Sequence, residues 1–202
     1  MTYATHRAFM VWWVLLTNIL IYKVLEPEVN YYLALIVMLQ FGKVGALFPD
    51  IDHSWRNVKE KTIPNWIINK LIHMTNGRHR SWQTHSIDIV IIVNIIAFRL
   101  PTYLYNTGLL DSINANILSI ILLGFSTGWV SHIISDMLTS DGVRIFCFNK
   151  KKIALVPKEL LGIRFNTGNS WEEFVFKITR IMNIIVGIYA IINPYIEISL
   201  LG

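Results

Sequence analysis

Gly124-Phe125-Ser126-Thr127-Gly128-Trp129-Val130-Ser131-His132-Ile133-Ile134-Ser135-Asp136 closes an apolar run that begins at Ile113 and ends at Leu138. A helix crosses a bilayer in roughly 20 apolar residues, so the run predicts a membrane span. Its last turns nevertheless carry an imidazole and a carboxylate. Residues i and i+4 of a helix share one face, which sets His132 beside Asp136. Taken alone, the pair fits either a structural hydrogen bond or a grip on one ion. Ionisable groups at membrane depth are costly and need a reason.

Four further apolar stretches flank this one: Ala8 to Leu25, Tyr31 to Phe48, Ile87 to Tyr105 and Phe174 to Ile192. The chain is 53% hydrophobic and only 15% charged, against about 25% charged in soluble domains. These features predict an all-α integral membrane protein of about five transmembrane helices, one domain over 1–202, with two long cytoplasmic loops. Gln40 and Lys43 in the second span, and Asn94 and Arg99 in the third, keep those spans from being purely lipid-facing.

Basic residues cluster in two connections. One holds Arg56, Lys59, Lys61, Lys70, Arg78 and Arg80; the other holds Arg144, Lys150, Lys151, Lys152, Lys158 and Arg164. The opposite connections carry Glu26, Glu28 and Asp111. The positive-inside rule then puts the N-terminus and both long loops in the cytoplasm. The net charge of +5 is thus a topology signal, and nucleic-acid binding is not indicated. The first span follows a basic start, Thr5-His6-Arg7, but no small-x-small cleavage site follows it, so it reads as a retained anchor. The single Cys147, between Phe146 and Phe148, reads as a packed apolar residue.

Within the first long loop, residues 63–72 predict an amphipathic surface helix with Pro64 in its first turn and Trp66, Ile67 and Leu71 together. In the second, residues 146–148 and 153–156 suggest a small β-hairpin around Lys150 to Lys152. Ser170 and Glu173 are spaced as a capping box for the last helix, and Thr84 or Ser86 can cap the third span. Gly42 and Gly45 face the same task as Gly124 and Gly128: letting membrane helices approach closely.

Polar chemistry gathers at the inner ends of the spans. Phe48-Pro49-Asp50-Ile51-Asp52-His53 follows the second span, and a helical turn aligns Asp50 with His53, leaving Asp52 to bridge two ions or orient a water. An Asx turn accounts for one aspartate there, not for the set. Arg78-His79-Arg80-Ser81-Trp82-Gln83-Thr84-His85-Ser86 leads into the third span. His79 and His85 are six apart and do not share a helical face. Arg78 and Arg80 suit an anionic substrate as well as topology. His6 lies at matching depth before the first span, whereas His73 falls on the surface helix and is left out. The donors are nitrogen and oxygen only, which suits Zn, Mn or Fe, and their number allows two or more ions.

These motifs, with Leu138-Thr139-Ser140-Asp141-Gly142-Val143 and Arg164-Phe165-Asn166-Thr167-Gly168-Asn169-Ser170-Trp171-Glu172, resemble the YdjM-like family of bacterial inner-membrane metal-dependent hydrolases over nearly the whole chain. Ser140 departs from the family's usual small residue or proline. The family is distantly similar in turn to zinc-dependent phospholipase C and P1-type nucleases, where a histidine followed four positions later by a carboxylate is a ligand pair. The resemblance implies that His6, Asp50, His53, His79, His85, His132 and Asp136 are metal ligands, Asp52 a bridging ligand or general base, and Glu172 a weaker candidate. It implies hydrolysis of a phosphoester, in a lipid or another membrane-associated molecule, by metal-activated water at the cytoplasmic face, with Arg78, Arg80 and Arg164 holding the anion. The alternative is a non-catalytic metal-binding protein acting as sensor or partner-binding scaffold. A metal-free lipid phosphatase would need a Pro-Ser-Gly-His motif that the chain lacks.

Overall fold

A computed structural model describes residues 1–25, 29–58, 61–75, 80, 82–157, 159–160, 163–164 and 166–201. Five helices are long and apolar enough to cross a membrane, within Tyr3–Lys23, Tyr31–Asp52, Ile87–Asn106, Ser112–Met137 and Ser170–Pro194. They match the five apolar runs. The chain order is α1 (Tyr3–Leu25), α2 (Tyr31–Leu47), a 3₁₀ turn (Pro49–Asp52), α3 (Ile63–Met74), α4 (Trp82–His85), α5 (Ile87–Asn106), α6 (Ser112–Met137), β1 to β4, and α7 (Ser170–Leu201). The expected break at Glu26-Pro27-Glu28 lies outside the described residues.

Local chemistry sets the helix starts. Asn30 accepts from the N–H groups of Tyr32 and Leu33 to start α2, and Asp111 accepts from Asn114 N–H at 2.7 Å to start α6. These side chains satisfy donors that the first turn leaves orphaned. For α7 the structure corrects the expected capping box: Asn169 Oδ1 takes the N–H of Trp171 at 3.1 Å, while Glu173 pairs with Lys177. Neither expected hydroxyl caps α5. Ser86 Oγ turns back to Trp82 O, and Thr84 Oγ1 goes to Asp52.

Helices α2 and α6 share the most extensive contact, and α1 packs against α2, α6 and α7. Met10, Val14, Met38, Ile120 and Ala190 fill the core between them. Glycine makes the α2–α6 approach feasible. A Cβ on Gly128 would stand 2.0 Å from the Gly42 carbonyl oxygen, and one on Gly45 would stand 1.9 Å from the Phe125 carbonyl oxygen. The two backbones touch, as close-packed membrane helices with small residues do. Helix α5 leans on α6 and leaves most of its apolar surface exposed.

The loops fold back over the C-terminal ends of α2 and α6. Helix α3 starts as expected, with Thr62 accepting from Asn65 N–H and Pro64 in the first turn. Its inner face buries Asn69, whose Nδ2 donates to Ile51 O and His53 O at 2.5 and 2.8 Å, clamping the 3₁₀ turn. Trp66, Ile67 and Leu71 stay exposed on the other face. A β-hairpin is present in the second loop, in a different register from that expected: β1 (Val143–Arg144) pairs antiparallel with β2 (Lys152–Ile153), and β3 (Glu159–Leu160) with β4 (Ile163–Arg164). Val143 is the buried residue that anchors it under α6, so residues 146–148 become the turn rather than a strand.

Candidate metal centre

His132 and Asp136 occupy the last turns of α6, and His6 the first turn of α1. Asp50 and Asp52 come from the 3₁₀ turn and His85 from α4. Their donor atoms converge. Asp136 Oδ1 lies 3.5 Å from His6 Nε2, and its Oδ2 lies 3.7 Å from both His85 Nε2 and His132 Nε2. Asp50 Oδ1 is 3.9 Å from His132 Nε2 and 3.8 Å from His53 Nε2. Two overlapping groups thus have metal-ligating spacing: His6, His132 and Asp136, and Asp50, His85 and His132. The three rings and Asp136 are at most 2% exposed. Asp50 and His53 form a more open rim.

The far nitrogen of each ring is tied to the scaffold. His132 Nδ1 donates to the Ala46 carbonyl at 2.7 Å. A carbonyl only accepts, so this nitrogen carries the proton and Nε2 keeps its lone pair. His85 Nδ1 lies 3.1 Å from Asp52 Oδ2, and the Thr84 hydroxyl donates to that same oxygen at 2.8 Å. Ser135 Oγ gives its proton to His132 O at 2.8 Å, so it accepts from His6 Nδ1 at 2.5 Å. All three Nε2 lone pairs therefore point towards one carboxylate. His132 Nε2 is buried with no hydrogen-bond partner among the described residues. Lone pairs and a carboxylate packed together repel, and a cation relieves that repulsion.

Two protein cations already reach Asp136. The Met1 ammonium lies 2.7 Å from Oδ1, and Arg80 Nη2 lies 3.1 Å from it. Arg80 also pairs with Asp141 at 3.3 Å and holds a φ of 59°, a left-handed conformation that side chains disfavour. A cavity of about 140 Å³ lies over the centre, lined by residues that include His6, Asp50, His53, Arg80 and Asp136.

Several sequence expectations shift. Asp52 stands behind His85, fully buried and in neither ligating group, with its carboxylate against the ring's Nδ1. Glu172 accepts from the backbone N–H of Thr2, and from that of Gly168 at 2.6 Å, pinning the N-terminus to α7 outside both groups. His73 touches His53 O at 3.2 Å, supporting the rim rather than joining the donors. His79, Arg78 and the Arg164 side chain lie outside the described residues. The sequence reading missed the Ala46 carbonyl and assigned Thr84 only to capping. Ser135 had a signal, since it sits within the His132 to Asp136 turn, but its partner is 129 residues away.

The fold and this centre define a class: a multi-pass helical membrane protein with buried imidazole and carboxylate groups that could hold a metal ion. The chain belongs to the family of YdjM inner membrane proteins, whose model matches residues 1–194. No curated protein and no solved structure matches it.

Proposed function

We propose that this protein is a metal-dependent hydrolase that cleaves a phosphoester at the cytoplasmic face, in a lipid or another membrane-associated molecule. The observation that carries the reading is the three buried rings, each with Nδ1 held by the scaffold and Nε2 turned to the Asp136 carboxylate. Second partners of this kind fix the tautomer and orientation of metal-bound histidines. The spacing fits as well. Zinc bonds of about 2.0–2.1 Å put tetrahedral ligands about 3.3 Å apart, and the donors here are 3.5–3.9 Å apart. A small contraction closes the shell.

His6, His132 and Asp136 would hold the ion, or alternatively Asp50, His85 and His132, with Zn favoured and Mn or Fe the alternatives; three protein ligands leave a position for water. Both groups use His132, whose Nδ1 is taken by Ala46, so as they stand they make one site. A second ion would draw on His53 and His79. When bound, the metal lowers the pKa of water and polarises a phosphoryl oxygen. Asp52 and Thr84 keep His85 in its ligating tautomer. Arg80 can release Asp141 and take a phosphate oxygen in a charge-assisted hydrogen bond. Asp50, at the solvent-facing rim, can accept a proton from the attacking water. The water oxygen bonds to phosphorus, the ester P–O bond breaks, and the leaving alkoxide takes up a proton.

The burial of the donors favours a second reading, a non-catalytic metal centre in a sensor or scaffold. Elemental analysis of detergent-purified protein beside the His132→Ala/Asp136→Ala double variant tests the metal. Bis-p-nitrophenyl phosphate and phospholipid cleavage then test the chemistry. Metal at one or more equivalents, lost in the variant along with hydrolysis, is expected. Metal without hydrolysis moves the balance to the second reading, and no metal after zinc or manganese reconstitution removes both.

A further inference from the structure

A second cavity, of about 370 Å³, abuts the metal centre and has an opposite character. Val44 and Phe48 at the C-terminal end of α2 and Phe125 near the middle of α6 form its wall, while Pro64 and Ile68 of α3 close the other side. The one charged side chain shared by its lining and that of the polar cavity is Asp50. An apolar crevice and a cation-ready centre therefore meet at a single carboxylate. We infer that this crevice receives the acyl chain of a lipid whose phosphate lies at the metal centre, an inference that rests on the hydrolase reading and narrows its substrate to an acyl-bearing phosphoester.

The position of the crevice selects that occupant. Helix α3 turns Trp66 and Leu71 outward, 46% and 56% exposed, and Lys70 lies over the Trp66 ring at 5.9 Å. An amphipathic helix of this composition lies in the membrane interface. Its inner face roofs the crevice, and Val44, 46% exposed on a membrane-spanning helix, forms the rim. The opening thus faces the bilayer at the depth where chains meet headgroups. A chain gains little by moving from lipid into an apolar crevice, because lipid tails are equally apolar. The crevice acts by removing a penalty. Drawing a headgroup to the buried centre without it would expose methylenes to water, at about fourfold in equilibrium for each one. A water-soluble phosphoester has no use for such a wall.

The test reads binding rather than turnover. The full chain, zinc-loaded, is placed in nanodiscs of phosphatidylethanolamine and phosphatidylglycerol doped with phosphatidylglycerol carrying a diazirine on one acyl chain. After photolysis, labelled peptides are mapped. Peptides spanning residues 44–51 and 63–70 are expected to label several-fold more than the lipid-exposed stretch 91–96 of α5. Val44→Trp at the rim and Ile68→Trp in the roof should each cut that labelling about 15-fold, the loss of two methylenes' worth of space. Ile92→Trp, on the lipid-facing surface, should not. Zinc content shows that each variant is folded. Crevice labelling no higher than that of α5, or insensitive to both fillings, overturns the inference. Crevice labelling without lipid cleavage would uphold the acyl site while sinking the hydrolase reading, so the two failures are distinct.

Discussion

Gly128→Ala asks whether helix packing builds the metal centre. The added Cβ would fall 2.0 Å from Gly42 O and 2.8 Å from Ala46 N. Carbon and carbonyl oxygen come no closer than about 3.3 Å, so α2 and α6 must part locally by about 1.3 Å. One turn beyond Gly42, the Ala46 carbonyl receives His132 Nδ1 at 2.7 Å. The same displacement stretches that bond to about 4 Å, outside hydrogen-bonding range, and moves Asp50 away from His132. Overpacking of this kind costs about 1–3 kcal/mol of stability. Loss of a histidine's scaffold partner lowers metal affinity about 10- to 100-fold. Both are measurable in detergent, by thermal unfolding followed by circular dichroism and by zinc competition against a chromophoric chelator. Gly187→Ala is the control, since its new Cβ meets only Leu15 Cδ1 at 3.9 Å. If Gly128→Ala melts earlier yet binds zinc with wild-type affinity, the helix contact does not set the centre and the reasoning is refuted.

Asp52→Asn keeps an acceptor for His85 Nδ1 and Thr84 but removes the charge, so zinc affinity should fall about tenfold; Asp52→Ala, which takes the carboxylate from both and leaves the ring nitrogen beside the Thr84 hydroxyl at 2.9 Å, should cost closer to 100-fold. Equal affinities across the three proteins would remove Asp52 from the centre. Zinc at 100 times its Kd adds about 2.7 kcal/mol, so chelation should lower the melting temperature by about 5–10 °C, and an unchanged melt would argue against a bound ion. A hydrogen bond to Asp88 pushes the Cys147 thiol above its usual range. The thiolate fraction at neutral pH is therefore reduced, and Asp88→Asn should speed alkylation. With an impermeant maleimide, Cys147 should label in inside-out vesicles and not in spheroplasts; the reverse would invert the proposed topology.

Much of the architecture was legible in the sequence because it is written in local patterns. Five apolar runs of bilayer length became five long helices, and the i, i+4 spacing of His132 and Asp136 became two donors 3.7 Å apart. Pro64 and the apolar face of residues 63–72 announced α3. The errors share one cause. Ser170 and Glu173 look like a capping box, but Asn169 was nearer the orphan N–H groups. Thr84 and Ser86 look like caps, but a buried carboxylate and the preceding turn claimed their hydroxyls. Residues 146–148 look like a strand, but burying Val143 under α6 set the pairing earlier. Each depended on a competing partner that spacing does not reveal.

Composition and periodicity by themselves determined that this chain is a helical membrane protein with its imidazoles and carboxylates at one end, because hydropathy and helical phase are properties of short windows. Only the tertiary structure decided which atoms face one another. Ala46 is 86 residues from His132, Ser135 is 129 from His6, and Thr84 is 32 from Asp52. Those contacts choose the tautomer of each ring, and the Ala46 bond to His132 forms because α2 and α6 meet backbone to backbone at glycine.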